Sequence, residues 1–257
     1  MYGVILAAGM AKRLRPLTDH CPKCLLKIGN RSLLWRALDA LKACGISEYV
    51  IVTGYKADMI HEEVRLWHEI NKPSAEDGDA RQQAPLHFYF LHNADYEHNN
   101  NIFSLWMAGE IVRGKEFLLL DSDILLDPQL VKRISQEEGS ALAMNRHELG
   151  EEEMKVVVDE HFRITELSKT CRIEDAIGES VGVEKISVQY SSALYDELDT
   201  MINNENLIDV FYEMAFERLI PKGWQFKVVD TTDYFSMELD TPDDFQNAKD
   251  NVPQHLL

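Results

Sequence analysis

Three groups of residues in this chain have the types and spacing for phosphate chemistry. The first is Leu6-Ala-Ala-Gly-Met-Ala-Lys-Arg-Leu14. Ala7, Ala8 and Gly9 leave room for backbone N–H groups to approach a ligand closely, and an amide-lined turn is an anion-binding concavity. Lys12 and Arg13 follow at once, and Lys23 comes soon after. Arg13 offers a planar fork matched to phosphate oxygens, and Lys12 and Lys23 offer point charges. The spacing is neither the Gly-Lys-Ser/Thr of a Walker loop nor G-x-G-x-x-G, which makes an NAD-binding oxidoreductase a poor candidate. The second group is Leu118-Leu-Leu-Asp-Ser-Asp123, an apolar run that ends in two carboxylates separated by one residue. Hard carboxylate oxygens bind magnesium together with substrate phosphates, and ligand sites in α/β sheets lie at the carboxyl ends of strands. The third is Phe235-Ser-Met-Glu-Leu-Asp-Thr-Pro-Asp-Asp-Phe245, where Glu238 and Asp240 share one strand face and Thr241-Pro starts a helix.

The elements that position these groups alternate. Gly3 to Ala7 reads as a buried strand, 32–43 as a helix capped by Ser32, and 48–54 as the next strand. A helix over 56–69, a strand over 86–91, a helix over 101–112, a strand over 115–121 and a helix over 128–138 follow. This order predicts an α/β fold with a Rossmann-like mixed, mainly parallel sheet flanked by helices. After residue 140 shorter β-like runs at 140–144, 155–158 and 182–188 complete the sheet. The segment 71–85, rich in Pro, Gly and charge, reads as a surface excursion.

At 257 residues, with 45% apolar and 27% charged residues, the chain has the size and composition of a single globular domain. We expect one domain over 1–257, with a nucleotide-binding half at 1–125 and an acceptor-binding half at 126–257. A net charge of -18 repels polyanions, so nucleic acid and anionic membranes are poor partners and any phosphate site must be local. The Lys12, Arg13, Arg15, Lys23, Lys27 cluster stands out against that background. No membrane insertion is expected, because no signal-like segment or long apolar run is present, and four cysteines do not make a disulfide framework. These features point to the cytoplasm. Cys21-Pro-Lys-Cys24 lacks the second ligand pair of a zinc site, so its thiols read as reduced and structural.

"LAAGMAKRLRPLT" followed by "PKCLLKIG" resembles the two-part opening of the sugar-phosphate nucleotidyltransferases, in look closest to the CTP:phosphocholine and 2-aminoethylphosphonate cytidylyltransferases. The fold implied is that superfamily's GT-A-like nucleotidyltransferase domain. The resemblance assigns Leu6, Ala7, Ala8, Gly9, Lys12, Arg13 and Lys23 to the nucleotide, with Arg13 and Lys23 holding the triphosphate and leaving pyrophosphate. Ala8 stands where many members carry a second glycine. It implies Mg2+ as cofactor, with Asp123 and Asp240 as ligands and Asp121 behind them or as an additional ligand. His98-Asn-Asn-Asn-Ile-Phe-Ser-Leu-Trp106 suits helix capping or the reading of base edges. Its likeness to the cytidylyltransferase segment Asn-Asn-Ile-x-Ser-Leu places Asn100, Asn101 and Ser104 at the nucleotide.

On the acceptor side, Glu166-Leu-Ser-Lys169 is similar to a family Glu-Lys segment and implies that Lys169 grips the acceptor phosphate. Gly178-Glu-Ser-Val-Gly182 implies Glu179 in the same pocket. The stretch 209–219 has helical periodicity, and Tyr212 with Glu213 could face a cationic head group by cation–π and Coulomb attraction. The expected partners are CTP and a small phosphate or phosphonate acceptor, phosphocholine-like or 2-aminoethylphosphonate-like; a homodimer is left open. A sugar or inositol 1-phosphate is the alternative acceptor, and a nucleotide-sensing module without turnover is the alternative of another class. The chain ends soon after the Asp240 segment, so no appended β-helix domain is expected.

Overall fold

Strand β1 (Tyr2–Ala7) is apolar along its whole length because both of its faces are buried. Val4 and Leu6 join one hydrophobic core, while Ile5 and Ala7 join the core on the opposite face. The computed structural model describes residues 1–72 and 84–257, and the surface excursion expected over 71–85 falls almost wholly outside them.

In chain order, β1 is followed by β2 (Lys27–Ile28), β3 (Arg31–Ser32), α1 (Leu33–Ala43), β4 (Glu48–Thr53), α2 (Ala57–Asn71), β5 (His87–His92) and α3 (Asn101–Val112). Then come β6 (Phe117–Asp121), β7 (Ile124–Leu126), α4 (Pro128–Ser135), β8 (Ala141–Asn145), β9 (Lys155–Val158) and β10 (Ile164–Ser168). The rest is β11 (Ala176–Ile186), α5 (Val188–Asp199), α6 (Glu213–Leu219), β12 (Lys227–Asp230), β13 (Ser236–Glu238) and α7 (Pro242–Asn251).

The main sheet runs β10-β9-β11-β6-β1-β4-β5, with β8 on β11 and β12 on β8. Strands β6, β1, β4 and β5 pair in parallel, and β11 joins β6 antiparallel, which gives the mixed, mainly parallel sheet expected from the sequence. Helices α1, α2 and α4 cover one face and α3, α5 and α6 the other. A third cluster, from Leu14, Leu26 and Leu33 to Leu125, Leu239 and Phe245, packs the early loops against β7, β13 and α7. Among the described residues no helix is long and apolar enough to cross a membrane.

Three sequence expectations change. The strand expected over 182–188 is the end of the longer β11, and Ser187 instead caps α5 by accepting from Tyr190 N, a helix the sequence reading passed over. The helix expected over 209–219 starts only at Glu213, with Tyr212 as its N-cap and the Tyr212 N–H donated to Asn101 Oδ1 at 2.9 Å. The strand read through Glu238 and Asp240 ends at Glu238 as β13, and its three-residue partner β7 is too short to leave a periodicity in the sequence.

Candidate active site

The carboxyl ends of β1 and β6 open onto a cleft of about 880 Å³. Leu6, Ala7, Ala8 and Gly9 line one wall. The turn after β1 is fixed by Tyr55 N, which donates to Ala8 O at 2.9 Å. Gly54 makes this approach possible, since a Cβ there would lie 2.8 Å from Ala8 O. A Cβ on Gly9 would meet no protein atom within 4 Å, so that backbone faces open cleft. Ala11 takes the left-handed conformation (φ 46°) and leads into a single turn over Lys12–Leu14, with Thr18 Oγ1 donating to Ala11 O at 2.9 Å. Leu14 is fully buried, which anchors the loop and leaves Lys12 and Arg13 facing the cleft.

Opposite this loop stand three carboxylates. The antiparallel pair β7–β13 sets Glu238 beside Ile124, and Leu239 N donates to Asp123 O at 3.1 Å. Asp123, Glu238 and Asp240 thereby each present an oxygen, all within 4.8 Å of one another. Asp244 supports the segment: it closes the capping box of α7 with Thr241 and accepts from Asp240 N at 3.1 Å. Three hard oxygen donors without sulfur or imidazole form a set suited to magnesium, which retains positions for phosphate oxygens.

The basic residues meet these acids directly. Lys23 Nζ lies 2.9 Å from Asp123 Oδ2 and 2.5 Å from Asp240 Oδ1, and Arg13 Nη2 also donates to Asp240. Burial opposes charge on Lys23, but the two carboxylates outweigh it and push its pKa up. Burial likewise opposes ionisation of Asp240, yet Lys23 and Arg13 hold its carboxyl below the usual range. For Glu238, burial, Asp123 and Asp240 outweigh the pull of Lys23 and push the carboxyl up to about 8.

At the far side of the cleft lies an acidic group, with Asp121 half-buried in the lining and Glu184 buried behind it. Asp121 and Glu184 are both raised well above their ordinary values, first by burial and then by neighbouring acids. Tyr212 Oη sits 3.1 Å from Asp121 Oδ2 and 3.4 Å from Glu184 Oε2. Gly182, with φ 71°, lets β11 pass close to Asp121, where a Cβ would lie 2.8 Å from Oδ2. Glu213 lines the cleft above this group, and its Oε2 is buried with no hydrogen-bond partner among the described residues. Lys169 Nζ lies 4.7 Å from the centre of the Phe211 ring, and His147 Nε2 pairs with Glu179 Oε2 at 2.7 Å. Lys155, itself buried, donates to the carbonyls of Glu151, Glu153 and Lys169 and so ties the acidic 151–153 segment to the Lys169 backbone.

The MobA-like NTP transferase domain matches residues 3–166. The chain belongs to the MobA-like NTP transferases. A CTP:phosphoglutamine cytidylyltransferase of Campylobacter jejuni is 27% identical over 251 residues, covering 90% of this chain and 92% of that protein. A "Bifunctional IPC transferase and DIPP synthase" of Aquifex aeolicus is 27% identical over 96% of this chain, which spans only 50% of that protein's length. The structure of the CTP:phosphocholine cytidylyltransferase LicC of Streptococcus pneumoniae superposes with a TM-score of 0.79 at 19% identity, covering 98% of this chain and 99% of LicC.

In this MobA-like transferase nearly all residues expected at the site line one cleft: Leu6 to Gly9, Lys12, Arg13, Lys23, Asn100, Asn101, Ser104, Asp123, Lys169, Glu179, Glu213 and Asp240. Tyr212 is the exception. It is fully buried with its hydroxyl turned to Asp121 and Glu184, so it cannot stack on a ligand, and the adjacent ring that lines the cleft is Phe211. The asparagines do structural work as well: Asn100 Oδ1 accepts from Asn101 N, capping α3, and Asn101 Oδ1 holds the Tyr212 backbone. Glu238, read in the sequence beside Asp240 but not assigned as a ligand, is the third carboxylate of the group. Asn93, which donates to Asn99 Oδ1 at 2.7 Å beside Ser104, and His147, the partner of the expected Glu179, were missed, and nothing local in the sequence marks them.

Proposed function

We propose that the chain is a magnesium-dependent cytidylyltransferase. It joins the CMP of CTP to a phosphocholine-like or 2-aminoethylphosphonate-like acceptor and releases pyrophosphate. The observation that carries this reading is the meeting, in one cleft, of Arg13 and Lys23 with Asp123, Glu238 and Asp240. Its support for cytidine is the cytidylyltransferase of Campylobacter jejuni, aligned over most of both chains.

In the reaction an acceptor phosphate or phosphonate oxygen forms a bond to the α-phosphorus while the bond to the bridging oxygen of pyrophosphate breaks. The attacking oxygen is already ionised at neutral pH, so no side chain need remove a proton, and catalysis is positioning plus charge neutralisation. The backbone of Ala8 and Gly9, in the cleft lining, faces the triphosphate. Arg13 and Lys23 leave their carboxylate partners for the phosphates and stabilise the leaving pyrophosphate. Lys169 orients the acceptor phosphate. Asp123, Glu238 and Asp240 would hold magnesium, which supplies charge neutralisation at the phosphoryl oxygens when bound.

A sugar or inositol 1-phosphate is the alternative acceptor. Asn145, one cleft amide that could read its hydroxyls, is already engaged, donating to Ser236 Oγ at 2.7 Å and accepting from Thr231 Oγ1 at 2.7 Å. Pyrophosphate release with magnesium, for five common nucleoside triphosphates against amine-bearing and polyol phosphates, tests the reading. Turnover confined to CTP with an amine-bearing acceptor is expected. Turnover with another nucleotide, or with polyol phosphates alone, would overturn it.

A further inference from the structure

The acceptor side of the cleft holds a carboxylate that the protein itself does not satisfy. Glu213 is 6% exposed, lines the cleft, and its Oε2 is buried with no hydrogen-bond donor among the described residues. Leaving a buried acceptor unpaired is costly, and more so when it is charged. The nearby groups add to the negative side: Asp121, Asp123 and Glu184 lie around or behind it, and Lys169 is the cation that acts on Glu213.

We propose that the distal end of the acceptor is a hydrogen-bond-donating cation, a primary ammonium, whose N–H groups satisfy Glu213 Oε2, in preference to a quaternary ammonium. This inference rests on the cytidylyltransferase reading and narrows its acceptor.

A trimethylammonium has no N–H to give. It would bury its methyls against Glu213 and leave the lone pair unmet. Recognition of such a group relies on aromatic faces around it. This cleft is poor in them. Its lining rings are Tyr96, which packs with Tyr55 beside the β1 turn, Phe211, and the His147 imidazole already paired with Glu179. Phe211 has Lys169 over it, and the buried Tyr212 turns away. One engaged ring does not make a cage, whereas a buried, donor-seeking carboxylate in an acidic pocket matches an ammonium that carries its own hydrogens. Burial also raises Glu213 to about 7, so an arriving ammonium would favour its ionised form.

The experiment compares ethanolamine phosphate and phosphocholine, which differ only by methyl groups, with glycerol phosphate as a neutral-tailed third arm. Two readouts are taken: kcat/KM for pyrophosphate release with CTP and magnesium, and calorimetric binding of each acceptor to the protein saturated with a non-hydrolysable CTP analogue. Ethanolamine phosphate should exceed both others by about tenfold or more, the equivalent of about 1.4 kcal/mol. Glu213→Gln, with its fold checked by thermal melting, should bring the three within about threefold of one another. Equal or better binding of phosphocholine, or no advantage over glycerol phosphate, overturns the inference even where CTP turns over normally. Selective binding of ethanolamine phosphate without any pyrophosphate release would leave the inference standing and sink the catalytic reading instead.

Discussion

The ammonium of Lys23 sits 2.5 Å from Asp240 Oδ1 and 2.9 Å from Asp123 Oδ2. A cation suited to phosphate thus neutralises two carboxylates suited to metal. Triphosphate drawing Lys23 and Arg13 away would free those oxygens, and metal bound there would in turn favour triphosphate. Such coupling is reciprocal and typically reaches 5–150-fold. Mn2+ binding followed by electron paramagnetic resonance should therefore tighten about tenfold or more when a non-hydrolysable CTP analogue is present. Unchanged affinity would count against the arrangement.

Lys23→Met should separate the two roles of this lysine. Mn2+ should bind the nucleotide-free variant more tightly than the parent, because the competing ammonium is gone. Turnover should nevertheless fall by about 100-fold or more, the scale seen when one preorganised charge-stabilising donor is removed. Weaker Mn2+ binding in the variant would show that Lys23 supports the metal site instead of competing for it.

Glu238→Gln keeps the side-chain volume and removes one of three clustered carboxylates. We expect Mn2+ affinity to drop about tenfold or more, or about 1.4 kcal/mol. Calorimetry on the nucleotide complex checks this. An unchanged affinity would confine the metal to Asp123 and Asp240.

Stability should fall as pH rises through neutrality. Glu213, pushed up to about 7 mainly by burial, and Glu184, raised well above its ordinary value for the same reason, keep protons in the folded chain that the unfolded chain releases at lower pH. Folding therefore binds protons above the unfolded carboxylate range, and raising the pH favours the unfolded state. Glu213 alone contributes about 3 kcal/mol at most to this slope between pH 5 and 8. Thermal melts across that range should show Tm declining, with a flatter profile in Glu213→Gln and Glu184→Gln. A Tm that rises with pH would contradict the sign.

Much of this site was legible because the chemistry sits in contiguous segments. The loop carrying Arg13, the lysine at Lys23, and the acids Asp123 and Asp240 each follow or join a strand, and strand ends converge on one edge of a parallel sheet. What escaped depends on contacts between distant segments. Tyr212 lies in an amphipathic stretch, but it caps α6 with its N–H on Asn101 and its phenol turned inward to Asp121. His147 meets Glu179 only because β8 pairs with β11, and Glu179 stands opposite Asn145 in that ladder. Lys155 reads as an ordinary strand lysine, yet it is buried and satisfied by three carbonyls. Propensity and spacing carry no information about such partners.

Lys155→Met tests that last contact. The three carbonyls would lose their shared donor, at a cost of about 2–4 kcal/mol in stability. Because the segment bearing Lys169 loosens, KM for the acceptor should rise severalfold while KM for CTP stays near the parent value. An equal rise in both would assign Lys155 a purely structural role.

The most direct test of the account is the identity of the product. Protein, CTP, magnesium and ethanolamine phosphate are incubated, and the mixture is read by phosphorus NMR and mass spectrometry. The account predicts pyrophosphate and a CMP-linked acceptor in equal amounts, with both lost in Asp123→Asn. CTP recovered unchanged from folded protein that binds it, or CTP hydrolysed with no CMP-linked acceptor, would contradict the assignment of this cleft to cytidylyl transfer.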